Sequence, residues 1–290
     1  MAPREMPGAG RGPRAASASL CRAPRQAQPG TGPAVQRGKA GRRRRQRAML
    51  SATSEEDALA IEVWTWPTPN GHKVHIALEE LGLPYEVVPV NIGAGEQFSP
   101  AFLAITPNHR IPAIVDPDGP GGKRLALFES GAILIYLAEK AGALIPKEPA
   151  GRYTCLQWLM FQMGSIGPMF GQYGHFHNYA PERIPYATER YAKEVSRLHR
   201  VLEKRLSEAE YLAGAEYSIA DIATFPWLRF PERRNIDLAQ FPSVKRWHDA
   251  IAARPAVQRG VQVLADRQRR GAITDAEREN LFGTRQFQAR

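Results

Sequence analysis

The chain has 290 residues, 43% of them hydrophobic, which is enough for two domains and a sizeable core. A formal charge of +10 points first to nucleic acid, but residues 1–49 hold 12 of the 39 Lys and Arg and only one of the 29 Asp and Glu, leaving 27 basic and 28 acidic side chains beyond them. A near-neutral body argues against a nucleic-acid surface there, two cysteines without a CxxC pair exclude a disulfide framework, and no apolar run approaches the roughly 18 residues of a membrane span.

Residues 1–57 read as a disordered basic tail. Arg, Pro, Gly and Ala dominate it up to Arg42-Arg43-Arg44-Arg45, and its few aliphatic side chains cannot offset the entropy of ordering. It lacks the continuous apolar stretch of a secretory signal, and its Pro and Gly spacing works against an amphipathic import helix, although the Arg-rich, acid-poor composition leaves organelle import open. Translation from Met49 is one reading of this tail, and an arm for nucleic acid or an anionic membrane is another. With Cys21 and Cys155 the only cysteines, the body suits a reducing compartment, so a cytoplasmic location is expected.

A short β-branched and aromatic segment, residues 61–66, predicts a strand. It turns through Pro67-Thr68-Pro69-Asn70-Gly71 into a helix with Val74, Ala77, Leu78 and Leu81 on one apolar face, closed by Gly82. Thr68, Asn70 and the first free backbone N–H groups then share the positive end of a helix, a geometry that favours an anion as well as an ordinary helix start. Residues 85–90 predict a second strand, completing a βαβ unit. After Gln97 and a short helical stretch, Pro107 to Asp116 feeds a strand that begins beside Pro112, and a turn at Asp118-Gly119 and Gly121-Gly122 predicts a hairpin into residues 124–128. The sheet is therefore expected to be mixed. Glu129-Ser130-Gly131 opens a helix that buries Ile133, Leu134 and Leu137 and stops at Gly142; Ser130 can cap it and offer N–H groups to a carboxylate, while Glu129 can hold an ammonium.

Beyond Pro149 the periodicity is helical to about residue 265. Leu156, Leu159, Met160 and Met163 predict one buried stripe, with a break or kink at Gly164, Gly167 and Pro168. Tyr191, Val195, Leu198, Leu202 and Leu206 predict another, Ser218 to Asp221 forms a capping box, and Trp247, Ile251 and Val257 continue the packing. The aromatic run from Gly171 to Tyr179 suits a half-polar pocket wall; His175 and His177 lack a third ligand at metal spacing, so no metal site is expected. Residues 266–290 are polar and weakly patterned, expected to wrap the surface or fray. No GxGxxG, P-loop or HExxH occurs, which moves dinucleotide, nucleotide and zinc-protease functions out of the front rank.

Taken together, Thr68-Pro69-Asn70-Gly71, Gln97-Phe98, Asn108 with Ile111-Pro112-Ala113-Ile114, Phe128-Glu129-Ser130-Gly131 and Gly174-His175-Phe176 resemble the nu class of glutathione S-transferases, the YghU- and YfcG-like disulfide-bond oxidoreductases. The resemblance covers about residues 61–265. It implies an α+β fold: an N-terminal thioredoxin-like, glutathione-binding domain at 58–143 with a mixed four-stranded sheet and helices, an all-α glutathione-transferase C-terminal domain at 150–265, and an extension at 266–290. It also implies a homodimer and glutathione, reduced or as the disulfide, as cofactor. The implied contacts are Ile111 backbone before a cis-Pro112, Glu129 and Ser130 at the γ-glutamyl end, Gln97 and Asn70, and Arg190 reaching across the dimer. Thr68 and Asn70 stand where thioredoxin-like domains that use their own sulfur carry cysteine, so the implied chemistry is stabilisation of a glutathione thiolate that attacks a small or mixed disulfide. A conjugating transferase or peroxidase acting on electrophiles or hydroperoxides, and a non-enzymatic regulator of the same fold, are the alternatives.

Overall fold

The computed structural model describes residues 60–269 and 271–288. The expectation of a disordered tail at 1–57 lies outside them.

The first strand, β1 (Ile61–Thr65), buries Ile61, Val63 and Thr65 and leaves Glu62 and Trp64 half-buried, the period of two of a sheet. It sits inside the sheet order β2-β1-β3-β4, parallel to β2 (Tyr85–Pro89) and antiparallel to β3 (Ala113–Gly119), which pairs antiparallel with β4 (Lys123–Phe128). The mixed sheet and its hairpin are as the sequence predicts.

Between β1 and β2 runs α1 (Pro69–Leu81), with Thr68 as N-cap, proline in its first turn, and Gly82 as C-cap at φ +64°. A single apolar face was the expectation, yet every residue from Gly71 to Leu78 is buried, His72, Lys73 and His75 included. The reason is three-sided packing: α1 lies against α3 (Ser130–Ala141), α7 (Ile219–Leu228) and α9 (Pro255–Gln262). Gly260 of α9 makes the closest approach, since a Cβ there would lie 2.8 Å from the backbone of Ile76. A four-residue helix, α2 (Pro100–Leu103), precedes β3 and buries Phe102.

The helical half begins with α4 (Pro149–Phe161). The expected break at the glycines takes the form of a π-helical turn at Gln162–Ile166, which interrupts the regular helix and carries the chain into α5 (Gly167–Gly174); a second follows at His175–Tyr179. The buried stripe is shifted, to Cys155, Leu159, Gln162 and Ile166, with Met160 51% exposed and Met163 half-buried. Leu and Met at 156 and 160 share the helix with a face whose polar member, Gln162, is held by a partner from α1, which periodicity in apolar residues does not register. In α6 (Pro185–Glu208) the buried residues are Val195, Leu198, His199, Leu202 and Leu206. The Ser218–Asp221 capping box opens α7, and α8 (Pro242–Ala252) buries Val244, Trp247 and Ile251. Side chains of both halves join one apolar cluster, from Val63 and Ile133 to Leu159 and Trp247.

The C-terminal stretch wraps rather than frays. Its helix α10 (Asp275–Phe282) starts with a Thr274–Glu277 capping box, and Arg278 Nε donates to Tyr179 O at 3.2 Å while Asn280 Nδ2 donates to Gly93 O at 2.7 Å. It thus ties the end of the long broken helix to the loop after β2. No helix among the described residues is long and apolar enough to cross a membrane.

Candidate functional site

The turn between β1 and α1 is shaped by close contact. A Cβ on Gly71 would lie 2.2 Å from Trp66 O, so only glycine lets the chain double back there. Thr68 Oγ1 accepts from Gly71 N at 3.3 Å, leaving its hydroxyl proton as a donor. Asn70, in the first turn of α1, receives Trp227 Nε1 on Oδ1 at 3.1 Å. An indole nitrogen only donates, so this bond fixes which end of the amide is oxygen and turns the Nδ2 donor the other way.

Asn70 lines a cavity of about 660 Å3, together with Lys73, Arg110, Gln162, His175 and Phe282. Thr68 lines a separate cavity of about 350 Å3, and Leu281 of α10 lines both. The two residues of the turn therefore face different spaces under one helix of the C-terminal segment.

Lys73 lies one helical turn from Asn70, only 1% exposed, and no carboxylate oxygen lies within 4.0 Å of its ammonium among the described residues. Its hydrogen bonds run to Gln162 Oε1 at 2.6 Å, Ser130 Oγ at 3.3 Å and Met163 Sδ at 3.5 Å, the last a weak acceptor. Burial pushes its pKa down to about 7, and the Glu129 carboxylate pulls it part of the way back. Gln162, fully buried, spends its oxygen on Lys73, and its Nε2 has no partner among the described residues. Lys73, Ser130 and Gln162 thus form a buried, cationic, donor-rich corner at the N-terminus of α3. Glu129 precedes it, exposed, at φ +72°.

The sequence-predicted residues divide accordingly. Asn70 and Ser130 come together through Lys73, and Glu129 acts on Lys73 electrostatically. Pro112 is buried, Ile111 half-buried, and the Ile111–Pro112 peptide is cis. Gln97 is 1% exposed beneath α10: its Nε2 donates to Asn280 O at 3.1 Å, and its Oε1 has no partner among the described residues. Arg190 lies exposed on α6 beside Glu189, Lys193 and Glu194, lining a shallow depression that Asn70 does not reach. His175 and His177 pack as aromatics, His175 edge-on to Phe282 and His177 stacked on Tyr173.

Sequence reasoning missed Lys73, Gln162 and Trp227. A signal existed for Lys73, three residues after Asn70 on the same helix face. Gln162 and Trp227 come from 89 and 157 residues away, and no local pattern marks them.

Residues 59–139 match the model of the glutathione S-transferase N-terminal domain, and residues 173–255 that of the C-terminal domain. The disulfide-bond oxidoreductase YfcG of Escherichia coli is 53% identical over 197 residues, 68% of this chain and 92% of that protein. Among solved structures, a glutathione transferase of Burkholderia graminis with two glutathione molecules bound per subunit is 50% identical, with a TM-score of 0.68 over 73% of this chain and 90% of that one. One from Pseudomonas putida with a glutathione disulfide bound per subunit is 49% identical, with a TM-score of 0.68 over 71% and 92%. With both domain models matched in order and the sheet, cis-proline turn and helical half in place, the chain belongs to the glutathione S-transferase family.

Proposed function

We propose that the protein is a glutathione-dependent disulfide-bond oxidoreductase that binds glutathione, holds its sulfur as a thiolate and reduces small or mixed disulfides. The observation that carries this reading is Asn70: at the turn where a sulfur-using relative of this fold would need cysteine, an amide donor stands at a helix N-terminus, oriented by Trp227. The protein supplies donors and the ligand supplies sulfur. The relatives' names, and the glutathione and glutathione disulfide bound by the structural neighbours, support the same reading.

In this mechanism Asn70 Nδ2 and the α1 N-terminus stabilise the thiolate, and the Thr68 hydroxyl joins them where the ligand spans the two cavities that meet at Leu281. Lys73 and Ser130 hold the γ-glutamyl carboxylate and Glu129 its ammonium, Ile111 backbone pairs with the peptide, and Gln97 completes the grip. Lys73 is a fitting cation because its charge is already desolvated and bound only to neutral acceptors, so a carboxylate gains more there than at a hydrated surface lysine. The glutathione thiolate attacks one sulfur of the disulfide; that S–S bond breaks, the leaving thiolate takes a proton from solvent, and a glutathione mixed disulfide forms. A second glutathione thiolate then attacks the mixed disulfide, giving glutathione disulfide and the second free thiol. The protein works as a homodimer, with Arg190 of each subunit reaching towards the other's glutathione.

The test is glutathione-dependent reduction of bis(2-hydroxyethyl) disulfide by the full chain, followed by coupled turnover of the glutathione disulfide formed. Asn70→Ala is expected to lower kcat/KM about 100-fold, the lower end of the range for loss of one donor to a developing anion; an unchanged value would remove the thiolate assignment. Faster consumption of an aryl halide or a hydroperoxide than of any disulfide would favour the conjugating or peroxidase alternative.

A further inference from the structure

A second cavity, of about 280 Å3, adjoins the one at Asn70; Trp227 and Gly171 line both, so the two are neighbours across that indole. Its wall joins Pro67 and Pro69 of the β1–α1 turn to His72, Arg229, Arg233 and Arg234. Nothing in the glutathione site uses these residues.

The arginines are held without acid partners. No carboxylate oxygen lies within 4.0 Å of any of the three guanidinium groups among the described residues. Instead, Arg229 and Arg233 both lie over the Phe230 ring, at 4.9 and 4.2 Å from its centroid, and Arg234 lies over Phe170 at 5.2 Å. One aromatic ring thus holds two like charges together. Burial, and then the charge of Arg233, depress the pKa of both Arg229 and Arg234, the latter to about 10; only Glu232 and two tyrosines offset this at Arg234.

His72 adds an independent observation. It is 4% exposed, and its Nδ1 lies 3.3 Å from Arg229 Nη1. A guanidinium only donates, so Nδ1 accepts and the ring proton sits on Nε2. Burial first, then His75 and Arg229, push its pKa to about 3, which keeps the ring neutral. Nε2–H is therefore a buried donor, and it has no partner among the described residues. Two clustered guanidinium forks, one braced by the buried neutral imidazole of His72, put donors and positive charge on one wall of the cavity, the complement of a tetrahedral oxyanion.

We propose that this cavity binds a sulfonate or phosphate group carried on the far end of the disulfide substrate, and so selects anionic disulfides over neutral and cationic ones. The inference deepens the disulfide-reductase reading and rests on it for the substrate's S–S bond. The exchange itself is unchanged: the glutathione thiolate bonds to one sulfur, the S–S bond breaks, and the thiolate that leaves carries the oxyanion away. Seating the oxyanion across Trp227 from Asn70 places the disulfide at the turn, where the attacking sulfur is held.

Three symmetrical disulfides of equal carbon chain test this on the full-length protein: bis(2-sulfonatoethyl) disulfide, bis(2-hydroxyethyl) disulfide and cystamine. The expected order of kcat/KM is sulfonate, hydroxyl, ammonium, and R229Q/R233Q is expected to shrink the sulfonate-to-hydroxyl ratio about tenfold. An unchanged ratio, or the absence of any preference in the parent protein, overturns the proposal. Inorganic phosphate is expected to inhibit sulfonate turnover competitively and R229Q/R233Q to lose that inhibition; inhibition that survives the substitutions counts against the site. Calorimetric binding of the sulfonate disulfide without glutathione separates this inference from the reductase reading. Binding by the parent that R229Q/R233Q loses supports the anion site even if no disulfide is turned over, and no binding by the parent overturns it even if bis(2-hydroxyethyl) disulfide is reduced. Should the double variant misfold, R233Q alone, at an exposed residue, is expected to show part of the same loss in ratio and binding, and full retention of both would overturn the role of the cluster.

Discussion

Two buried ions in this molecule are treated in opposite ways. Asp221 has all its lone-pair directions addressed: Leu212 N and Trp247 Nε1 donate to Oδ1 at 2.9 and 2.8 Å, and Ser218 N and Oγ to Oδ2 at 3.0 Å each. Burial pushes its pKa up and those four bonds draw it back. Lys73 is as deeply buried, but its three contacts are one good amide acceptor, one long hydroxyl bond and a thioether. A saturated ion ties α7 and α8 to the preceding loop and has nothing left to offer. An undersatisfied one beside a cavity keeps electrostatic capacity for a ligand.

The difference can be broken at either ion. Asp221→Ala leaves four donors, three of them buried backbone or indole N–H groups, without an acceptor, and is expected to cost about 3–5 kcal/mol in urea unfolding. Lys73→Met is expected to act the other way: the ligand-free protein gains about 1–2 kcal/mol, because a poorly paired buried charge is gone, while glutathione affinity measured by calorimetry falls about 10- to 100-fold. If Lys73→Met destabilised the free protein as Asp221→Ala does, the contrast would fail.

The same substitution has a pH signature. Unfolded Lys73 keeps its proton to about pH 10.4, whereas folded Lys73 releases it near 7. Between these values the unfolded chain holds more protons, so this residue makes stability rise with pH from about 7 to about 10. Melting temperatures of the parent and Lys73→Met are therefore expected to converge as pH rises through that window. On the acid side, His72, His75 and His199 are pushed by burial to about 3, 4 and 4. The unfolded histidines take up protons near pH 6.5 while the folded ones do not, so stability falls as pH drops from about 7 to 4, by roughly 1.4 kcal/mol per unit for each fully responding ring. His199→Gln should flatten that slope by one ring's share.

The smallest expected effect is at Trp227. Trp227→Phe keeps an aromatic ring but loses the bond that orients Asn70, so stability should change by less than about 1 kcal/mol. As a positioning residue it should act on the sulfur: the pKa of bound glutathione, read from thiolate absorbance, rises, and kcat falls about fivefold with KM little changed. A change confined to KM would assign Trp227 to binding alone.

Much of the frame was legible because its signals are local. The alternation in β1, Thr68 and Gly82 at the ends of α1, Gly142 after α3 and the Ser218–Asp221 box each rest on residues within a turn or two. Asn70 and Ser130 could be singled out from the same helix-start chemistry. The shifted stripe of α4 was not legible, because the face includes Gln162, a polar residue buried only through its bond to Lys73. Nor was the burial of His72, Lys73 and His75, which depends on helices from three distant parts of the chain closing around α1.

The sequence by itself determined the order of elements, the turn through Pro67 to Gly71, and a strand–helix junction bearing Thr68 and Asn70 in place of cysteine. Tertiary structure alone decided which way the Asn70 amide faces, that Lys73 is a desolvated cation beside Ser130, and that Arg229 and Arg233 share the ring of Phe230 next to the same turn. Backbone turns and caps are settled by neighbours in sequence. The charge a buried group carries, and the direction its donor points, are settled by whichever distant side chains close around it.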